Sequence, residues 1–325
     1  MRVLAVSGGG AQGALAAVAL ERVEATTGPL AGVFPLVGGT SIGAALAAGV
    51  AFGIPAARMR AELEASAPAI FPAGPSRDPR WEKARRLAQG MQRARYRTAP
   101  WRAVLERLLG GACMGDASID LAIPALDMTA GGKVVVFRRR PLSEGDPGSD
   151  VSVVEAILAS SAAPTLFAPH RYRGRVYADG GMAANAPDAL LWAEASRRAP
   201  GARVAMLSVG TALAHADLRA EGDLDWGVAQ WMRHGRLQGL GLAAGQNGPL
   251  EVVRTALGTD HCRLDAVPRP HERAWVGLDA ATPEALGVLR ALQGRMDWDG
   301  FDRWWSVHGG RAPSVAPVKT YDEKA

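Results

Sequence analysis

The hydrophobic pattern of the first fifty residues alternates between short apolar runs and longer helical stretches. The apolar run at residues 3–6 predicts a strand, and residues 14–23, whose apolar positions recur with a helical period, predict a helix. A second apolar run at 33–37 predicts another strand, and the alanine-rich stretch at 42–50 predicts another helix. Strand, helix, strand, helix is the order typical of an α/β sheet.

Similar patterns return after residue 120 and extend the predicted sheet. A strand pair is expected around Gly131-Gly132, and a loop rich in Gly, Pro and Asp at 145–150. Beyond about residue 212 the chain is predicted to be helical and rich in tryptophan. The further predicted strands are 121–127, 133–137, 175–178 and 204–209, and the further predicted helices are 151–163 and 188–198.

Residues 56–110 differ in character and predict a helical insertion or cap over the sheet. Ten basic residues lie between positions 77 and 107 against three acidic ones, and five prolines interrupt the stretch. Two interpretations stay open: a solvated helical face, or a surface that meets lipid headgroups or another anion. Trp81 and Trp101 flank the basic region, where they would serve either as interfacial anchors or as core residues.

Composition narrows the class of protein. Hydrophobic residues make up 48% and charged residues 21% of the 325, which excludes a disordered chain. Two cysteines exclude a disulfide scaffold and a four-cysteine zinc site. The net charge of +5 permits contact with an anionic surface without demonstrating it. Glycines and prolines interrupt the uncharged stretch 25–57, and no signal-peptide pattern follows Arg2, so we expect a cytoplasmic protein without a transmembrane helix.

Two readings compete for the glycines that follow the first predicted strand. Gly8, Gly10 and Gly13 fit the G-x-G-x-x-G dinucleotide fingerprint, but the second strand ends without the acidic residue that this fingerprint needs. Alternatively, Gly8, Gly9 and Gly10 expose successive backbone N–H groups at a helix N-terminus. Such donors can hold an anion or a developing oxyanion.

A candidate nucleophile lies at the next strand-to-helix turn. Residues 39–43 match G-x-S-x-G, with Gly39 and Gly43 around Ser41. The pattern alone arises easily by chance, but its position between an apolar strand and an alanine-rich helix is the one that a nucleophile elbow requires. The small flanking residues let strand and helix approach, so that the Ser41 hydroxyl is pushed outward.

A serine nucleophile needs a base, and the sequence offers one better candidate than histidine. None of the six histidines lies at an obvious strand end or glycine turn. Asp179 follows a predicted strand and precedes Gly180 and Gly181, so its carboxylate should emerge at the edge of the sheet. An aspartate in an ordinary tight turn is the alternative reading of the same residues.

These motifs together resemble those of the patatin-like phospholipases. The likeness covers about residues 1–212 and implies a Ser–Asp dyad without histidine or metal, with Ser41 as nucleophile, Asp179 as general base and the loop at 8–10 as oxyanion hole. One departure is Gln12, where the family usually has Arg or Lys. The segments that carry the resemblance are 8–13 (GGGAQG), 39–43 (GTSIG), 159–169 (ASSAAPTLFAP), 179–181 (DGG), 185–187 (NAP) and 207–211 (LSVGT).

The resemblance implies a three-layer α/β/α fold with a central, mainly parallel sheet. We expect a catalytic core at 1–212 that includes the insertion at 56–110, a helical C-terminal part of the same domain at 213–308, and a flexible tail at 309–325. The expected function is hydrolysis of lipid acyl esters, as a phospholipase A or lysophospholipase without a cofactor, with peripheral contact to an anionic membrane and no nucleic-acid partner. The alternative is a catalytically weak module on the same fold that binds a lipid or a regulatory ligand.

Overall fold

The computed structural model describes residues 1–72, 93–212, 225–232 and 236–310. The strands in these ranges are β1 (Arg2–Val6), β2 (Leu36–Gly39), β3 (Asp120–Asp127), β4 (Lys133–Arg138), β5 (His170–Tyr172), β6 (Arg175–Asp179), β7 (Ala205–Val209) and β8 (His261–Leu264). The helices are α1 (Gly13–Thr27), α2 (Leu30–Val33), α3 (Ile42–Ala51), α4 (Ala56–Ile70), α5 (Thr98–Leu109), α6 (Val153–Ser160), α7 (Gly181–Ala184), α8 (Asp188–Arg198), α9 (Val228–Met232), α10 (Arg236–Leu257), α11 (Pro283–Leu292) and α12 (Trp298–His308).

The strands form one sheet in the order β5-β6-β3-β2-β1-β7-β8, with β4 paired to β3. Strands β3, β2, β1, β7 and β8 run parallel to their neighbours in that order. Strands β4 and β6 pair with β3 in antiparallel fashion, and β5 pairs with β6 in the same way. Parallel pairing of the central strands confirms the predicted mainly parallel sheet.

Helices cover both faces of the sheet. Alternate residues of a strand point to opposite faces. Accordingly, Leu4 and Val6 of β1 pack in the larger hydrophobic cluster, with side chains of α1, α3, α4, α11 and α12. Val3 and Ala5 pack in a smaller cluster on the other face, with side chains of α8 and α10. The protein therefore has the predicted three-layer α/β/α fold.

Two strands meet end to end along one edge of β3. Strand β2 pairs with the first residues of β3, with Gly38 opposite Ala122. Strand β6 runs in from the other direction and ends with Asp179 opposite Ala125. Because β4 occupies the other edge of β3 across both positions, β2 and β6 share an edge. The residues that follow β2 therefore meet the carboxyl end of β6.

The structure corrects several predicted elements. Val33 ends the short helix α2, so β2 begins three residues later than the apolar run suggested. Strands β5 and β8 were not predicted, and β8 extends the sheet within the part of the chain expected to be helical. The segment expected at 151–163 is helical over Val153–Ser160.

The predicted insertion contributes directly to the core. Helix α4 continues through Pro68, and its Met59 is almost fully buried. Trp101 of α5 is buried and donates a hydrogen bond from Nε1 to Ser161 Oγ at 2.9 Å, so it is not an interfacial anchor. Residues 73–92, with Trp81 and half of the basic residues, lie outside the described ranges, as does nearly all of the predicted tail.

Candidate active site

Ser41 lies in a sharp turn between β2 and α3. Its φ of 56° is in the left-handed region, which costs a non-glycine residue on the order of 1–3 kcal/mol. Its backbone N–H donates to Ser160 Oγ at 3.0 Å, which helps to hold the turn. The residue is 9% exposed. The backbone thus has the strained geometry expected of a nucleophile elbow.

Close packing explains the two glycines around Ser41. A Cβ on Gly39 would overlap the backbone of Gly43, and a Cβ on Gly43 would overlap the carbonyl oxygen of Val6 at the end of β1. Any larger residue would push α3 away from the sheet. The spacing of G-x-S-x-G therefore follows from the approach of strand, turn and helix.

Asp179 ends β6 and is almost fully buried. Burial raises the pKa of its carboxyl to about 7, against the lowering effect of hydrogen bonds from the Gly181 N–H and the Ser41 side chain. The bond from Gly181 N to Asp179 Oδ1 is 2.6 Å long. The structure therefore brings the two residues singled out in the sequence, Ser41 and Asp179, close enough for the Ser41 side chain to lower the pKa of the Asp179 carboxyl. A buried carboxyl with a pKa near neutrality can exchange a proton with a neighbouring hydroxyl.

The glycine loop lies between β1 and α1. The N–H of Gly8 donates to the carbonyl of Asn185 at 2.9 Å, so the set of free donors predicted from the sequence is corrected to Gly9 and Gly10. Among the described residues, the N–H groups of Gly9 and Gly10 have no acceptor. Gly10 has a φ of 56°, and the next residue, Ala11, donates its N–H to the carbonyl of Leu278 at 2.8 Å.

Two side chains outside the glycine loop, the Ser41 turn and the Asp179 turn also hold this loop in place. The carbonyl of Gly8 accepts hydrogen bonds from Thr211 Oγ1 at 2.6 Å and from Asn185 Nδ2 at 3.3 Å. Asn185 Nδ2 also donates to Gln246 Oε1 at 3.1 Å. No pattern in the sequence assigned a role to Thr211, Asn185 or Ser160. Only the resemblance of the segments that contain them to patatin-like phospholipases pointed to these residues.

The remaining motif residues lie around these groups. Gln12 is almost fully buried, and its Oε1 has no hydrogen-bond partner among the described residues. Gly13 begins α1 and packs against the side chain of Ile42, the residue after Ser41. Gly180 packs on the carbonyl of Pro124 in β3, and Gly181 begins α7.

The described histidines pair with carboxylates other than Asp179 or lie apart from the site. His170 bonds to Glu155 at 2.7 Å, and His261 bonds to Asp188 at 3.1 Å. Of the four histidines in the described ranges, none hydrogen-bonds to Ser41 or Asp179. His215 and His234 lie outside those ranges. In the same ranges, no group of three or more His, Cys, Asp or Glu side chains could hold a metal ion.

The basic residues of α5 and the segment before it are largely neutralised. Arg95 pairs with Asp279 at 2.7 Å, Arg102 with Glu155 at 2.6 Å and Arg107 with Glu62 at 2.5 Å. These pairs favour the solvated, ion-paired face over an open cationic surface. Over the described residues, no helix is both long and apolar enough to cross a membrane.

Comparison with known proteins identifies the family. The family model described as patatin-like phospholipase matches residues 4–192. A cGAMP-activated phospholipase of Pseudomonas aeruginosa is 33% identical over 89% of this chain and 81% of its own length. A cGAMP-activated phospholipase of Vibrio cholerae is 29% identical over 91% and 89%, and Patatin-T5 of Solanum tuberosum is 26% identical over 71% and 66%. These matches set aside the dinucleotide-binding reading of the glycine loop: the chain is a lipid acyl hydrolase and belongs to the patatin-like phospholipase family.

Proposed function

We propose that the protein is a phospholipase A or lysophospholipase in which Ser41 is the nucleophile and Asp179 the general base. The observation that carries this proposal is the approach of the Ser41 side chain to a buried carboxyl whose pKa burial raises to about 7. An aspartate with an ordinary pKa would be a weak base for a hydroxyl. Raising its pKa towards the working pH improves proton transfer while part of the carboxyl stays ionised.

The reaction has two halves. Ser41 Oγ attacks the ester carbonyl carbon while its proton passes to Asp179, and the carbonyl oxygen becomes negative. Collapse of this intermediate breaks the ester bond, and the departing alcohol takes the proton from Asp179. Water then attacks the acyl-enzyme carbonyl and gives its proton to Asp179. The bond between the acyl carbon and Ser41 Oγ breaks, Ser41 takes that proton from Asp179, and the fatty acid leaves.

Backbone groups would stabilise the negative oxygen. The N–H groups of Gly9 and Gly10 have no acceptor among the described residues. They lie at the start of the 3₁₀ turn Gly10–Gln12 that leads into α1, on the side of the helix where negative charge is favoured. Because Gln12 is neutral, no cation at this position adds to them. The position of these donors depends on the hydrogen bonds that Thr211 and Asn185 donate to the carbonyl of Gly8, because that carbonyl precedes the Gly9 N–H in the chain.

Ser41→Ala tests the assignment directly. Purified wild type and variant are incubated with diacyl and monoacyl phospholipids, and free fatty acid and lysophospholipid are quantified by mass spectrometry. We expect Ser41→Ala to lose hydrolysis and labelling by a fluorophosphonate probe. Ser196→Ala, an exposed serine on α8, is the control that should keep both. Hydrolysis by folded Ser41→Ala near the wild-type rate would contradict the mechanism, and a wild type that is neither labelled nor active would favour the binding-module alternative.

We also propose peripheral contact with a lipid surface, mediated mainly by apolar side chains. Met182, three residues after Asp179, is 49% exposed, and Leu237 and Leu240 on the first turns of α10 are 53% and 44% exposed. Helix α10 is tied to the loop before β5 by a bond from Gln238 Nε2 to the carbonyl of Pro164 at 3.0 Å. Vesicle flotation is expected to persist at high salt and on neutral lipid. Binding restricted to anionic vesicles at low salt would instead favour the arginines.

Activation by a cyclic dinucleotide is a further part of the proposal. Two relatives are named cGAMP-activated phospholipases, and their similarity spans about nine-tenths of this chain, well beyond the residues that the family model matches. The shared part thus includes segments beyond the catalytic motifs. We expect cGAMP, but not equimolar AMP plus GMP, to increase phospholipid hydrolysis. Equal rates with and without cGAMP would contradict this part alone.

A further inference from the structure

A charged pair lies at the carboxyl end of β8, outside the residues that the family model matches. Arg263 Nη2 donates to Asp265 Oδ2 at 2.7 Å, and the two side chains are 11% and 21% exposed. Arg263 Nη1 also donates to Ser208 Oγ at 2.8 Å and to Ser7 Oγ at 2.9 Å, and both serines are fully buried. Because a buried charge is costly unless it is paired and hydrogen-bonded, these contacts hold the guanidinium in one position.

Parallel pairing of β1, β7 and β8 explains how one side chain connects three strands. Ser208 of β7 lies opposite Arg263 of β8 and opposite Ala5 of β1. Ser7 continues β1, since its N–H donates to the Val209 carbonyl at 2.9 Å. It follows Ala5 by two residues and therefore lies on the same face of the sheet. The Arg263 guanidinium thus joins β8 to the last residue before the glycine loop.

Asp265 accepts a hydrogen bond from the turn that follows β7. Its Oδ1 accepts from the Ala212 N–H at 2.9 Å. The φ of Ala212 is 60°, in the left-handed region that disfavours residues other than glycine. A Cβ on Gly210 would overlap the Asp265 carboxylate, so turn and carboxylate are in close contact. Because a residue keeps such a conformation only where its surroundings hold it, the hydrogen bond to Asp265 stabilises the turn.

Thr211, between Gly210 and Ala212, joins this turn to the glycine loop. Its Oγ1 donates to the Gly8 carbonyl at 2.6 Å, and a Cβ on Gly9 would overlap its side chain. The carbonyl of Gly8 and the N–H of Gly9 belong to one planar trans peptide, so they point in opposite directions. The hydrogen bond that holds the carbonyl therefore also fixes the direction of the Gly9 N–H, one of the two proposed oxyanion donors.

We propose that Arg263 and Asp265 are positioning residues that direct the Gly9 N–H towards the ester oxygen in the transition state. The proposal rests on the function proposed for the nucleophile and the glycine loop. Arg263 holds Ser7, the residue before Gly8, and Asp265 holds the turn whose threonine binds the Gly8 carbonyl. Because the pair acts through the loop rather than on the substrate, its loss should lower kcat and leave KM nearly unchanged.

The test measures kcat and KM for p-nitrophenyl butyrate, with and without cGAMP. Each kcat is divided by the amount of Ser41 that a fluorophosphonate probe labels at completion, which removes the effect of unfolded enzyme. Loss of one oxyanion donor costs about 10²–10³-fold in rate, so Asp265→Ala, which misdirects a donor, should lower kcat by about tenfold or more. KM should change by less than about threefold. Asp265→Asn keeps an oxygen that can accept from the Ala212 N–H, so it should retain most of the kcat.

Ala212→Gly tests whether the Asp265 carboxylate acts through the turn. Glycine adopts a positive φ without strain, so in the double variant Asp265→Ala, Ala212→Gly the turn can keep its shape without the carboxylate. Its kcat should be about threefold or more above that of Asp265→Ala, because the strain of residue 212 is relieved. A kcat equal to that of Asp265→Ala would overturn the route through the turn.

Two variants test the other member of the pair. Arg263→Met keeps the length of the side chain but removes its donors, so it should lower kcat by a factor similar to that of Asp265→Ala. Arg263→Lys keeps the charge beside Asp265, but its single ammonium cannot replace both terminal nitrogens of the guanidinium, so kcat should also fall. If Arg263→Met or Asp265→Ala does not fold, Arg263→Lys decides the question.

Asp260→Ala is the matched control. Asp260 lies just before β8, at the opposite end of the same strand, and accepts from Arg203 Nε at 2.6 Å. Its loss removes another arginine–aspartate pair and should leave kcat per labelled serine unchanged. Circular dichroism and urea unfolding check each fold. A wild-type kcat in folded variants of Arg263 and Asp265, or an equal loss in Asp260→Ala, would overturn the proposal.

Ser41→Ala separates this failure from failure of the proposed function. If butyrate hydrolysis needs Ser41 while kcat does not depend on Arg263 or Asp265, only the positioning role is wrong. If folded Ser41→Ala hydrolyses butyrate near the wild-type rate, the proposed function is itself wrong.

Discussion

Replacing Asp179 by asparagine should abolish activity and at the same time stabilise the protein at alkaline pH. The carboxyl is almost fully buried, and within the described part of the chain its hydrogen-bond partners are the Gly181 N–H and the Ser41 side chain. Asparagine keeps the shape and can still accept from the Gly181 N–H. It cannot accept a proton from Ser41, so the attack on the ester loses its base.

The activity of the wild type should follow the ionisation of Asp179. With a pKa of about 7, the ionised fraction rises from about one tenth at pH 6 to about nine tenths at pH 8, so kcat/KM should rise roughly tenfold between them. An aspartate at its ordinary pKa would be fully ionised over this range. The profile would then be flat.

The free energy of unfolding should fall as the pH rises, in the direction opposite to kcat/KM. The pKa of Asp179 is higher in the folded than in the unfolded chain, so the folded protein holds the proton more tightly. The stability that this group contributes is fully present below about pH 4 and is lost as the pH rises to about 7. The loss is on the order of 4 kcal/mol for a shift of about three pKa units. Asp179→Asn has no carboxyl to ionise and does not suffer this loss, so the variant should become more stable than wild type as the pH rises.

Urea unfolding and kcat/KM measured from pH 5 to pH 8 test both effects in the same preparations. Asp188→Asn is the matched control, because Asp188 is also fully buried. Burial acts to raise the Asp188 pKa, but the bond from His261 and the charge of Arg263 hold it below its usual value. Its asparagine variant should therefore lose stability at neutral pH. A flat kcat/KM profile, or an Asp179→Asn variant that is less stable than wild type at pH 8, would refute the reasoning.

Three further outcomes follow from the same geometry. Gly10→Ala should lower kcat by about 10²–10³-fold with a smaller change in KM, because the φ of Gly10 is positive and a Cβ there would overlap the Leu278 carbonyl. In the same steady-state assay Gly32→Ala should match wild type, because the space around Gly32 is open. Ser160→Ala should leave the Ser41 N–H without an acceptor and lower the free energy of unfolding by about 1–3 kcal/mol in urea titrations, together with kcat. Alanine at each of the six histidines should leave most of the activity in a kcat/KM comparison, and one inactive, folded variant would point to a Ser–His–Asp triad instead.

The sequence was sufficient for the parts of the site that depend on local geometry. Glycines at fixed spacing around Ser41 indicate a turn in which strand and helix pack closely. An aspartate at the end of a strand indicates a carboxylate at the edge of the sheet. The contact between Ser41 and Asp179 depends instead on β2 and β6 sharing an edge of β3. Without the resemblance to a family, no local pattern would have predicted that pairing.

The errors arose where distant parts of the chain decide the outcome. Strand β5 has only three residues, all of them charged or titratable, so no hydrophobic alternation marks it. The donor role first assigned to Gly8 is excluded by a carbonyl 177 positions away, that of Asn185. For Trp101 the sequence left an interfacial and a core role open, and the structure selects the core, because α5 presents its other face to solvent. The composition of a segment does not determine which of its side chains are buried, because burial depends on the elements that pack against it.

The contacts of the glycine loop extend the catalytic unit beyond the residues that carry its motifs. Thr211 holds the carbonyl of Gly8, and the carbonyl of Leu278 accepts from Ala11 and packs on Gly10. Eight residues further on, Leu286 lines a small apolar cavity together with Gly10 and Ile42. A shift of this C-terminal segment would therefore change the direction of the loop N–H groups. Any ligand that binds one position of the segment more tightly than another would therefore alter kcat.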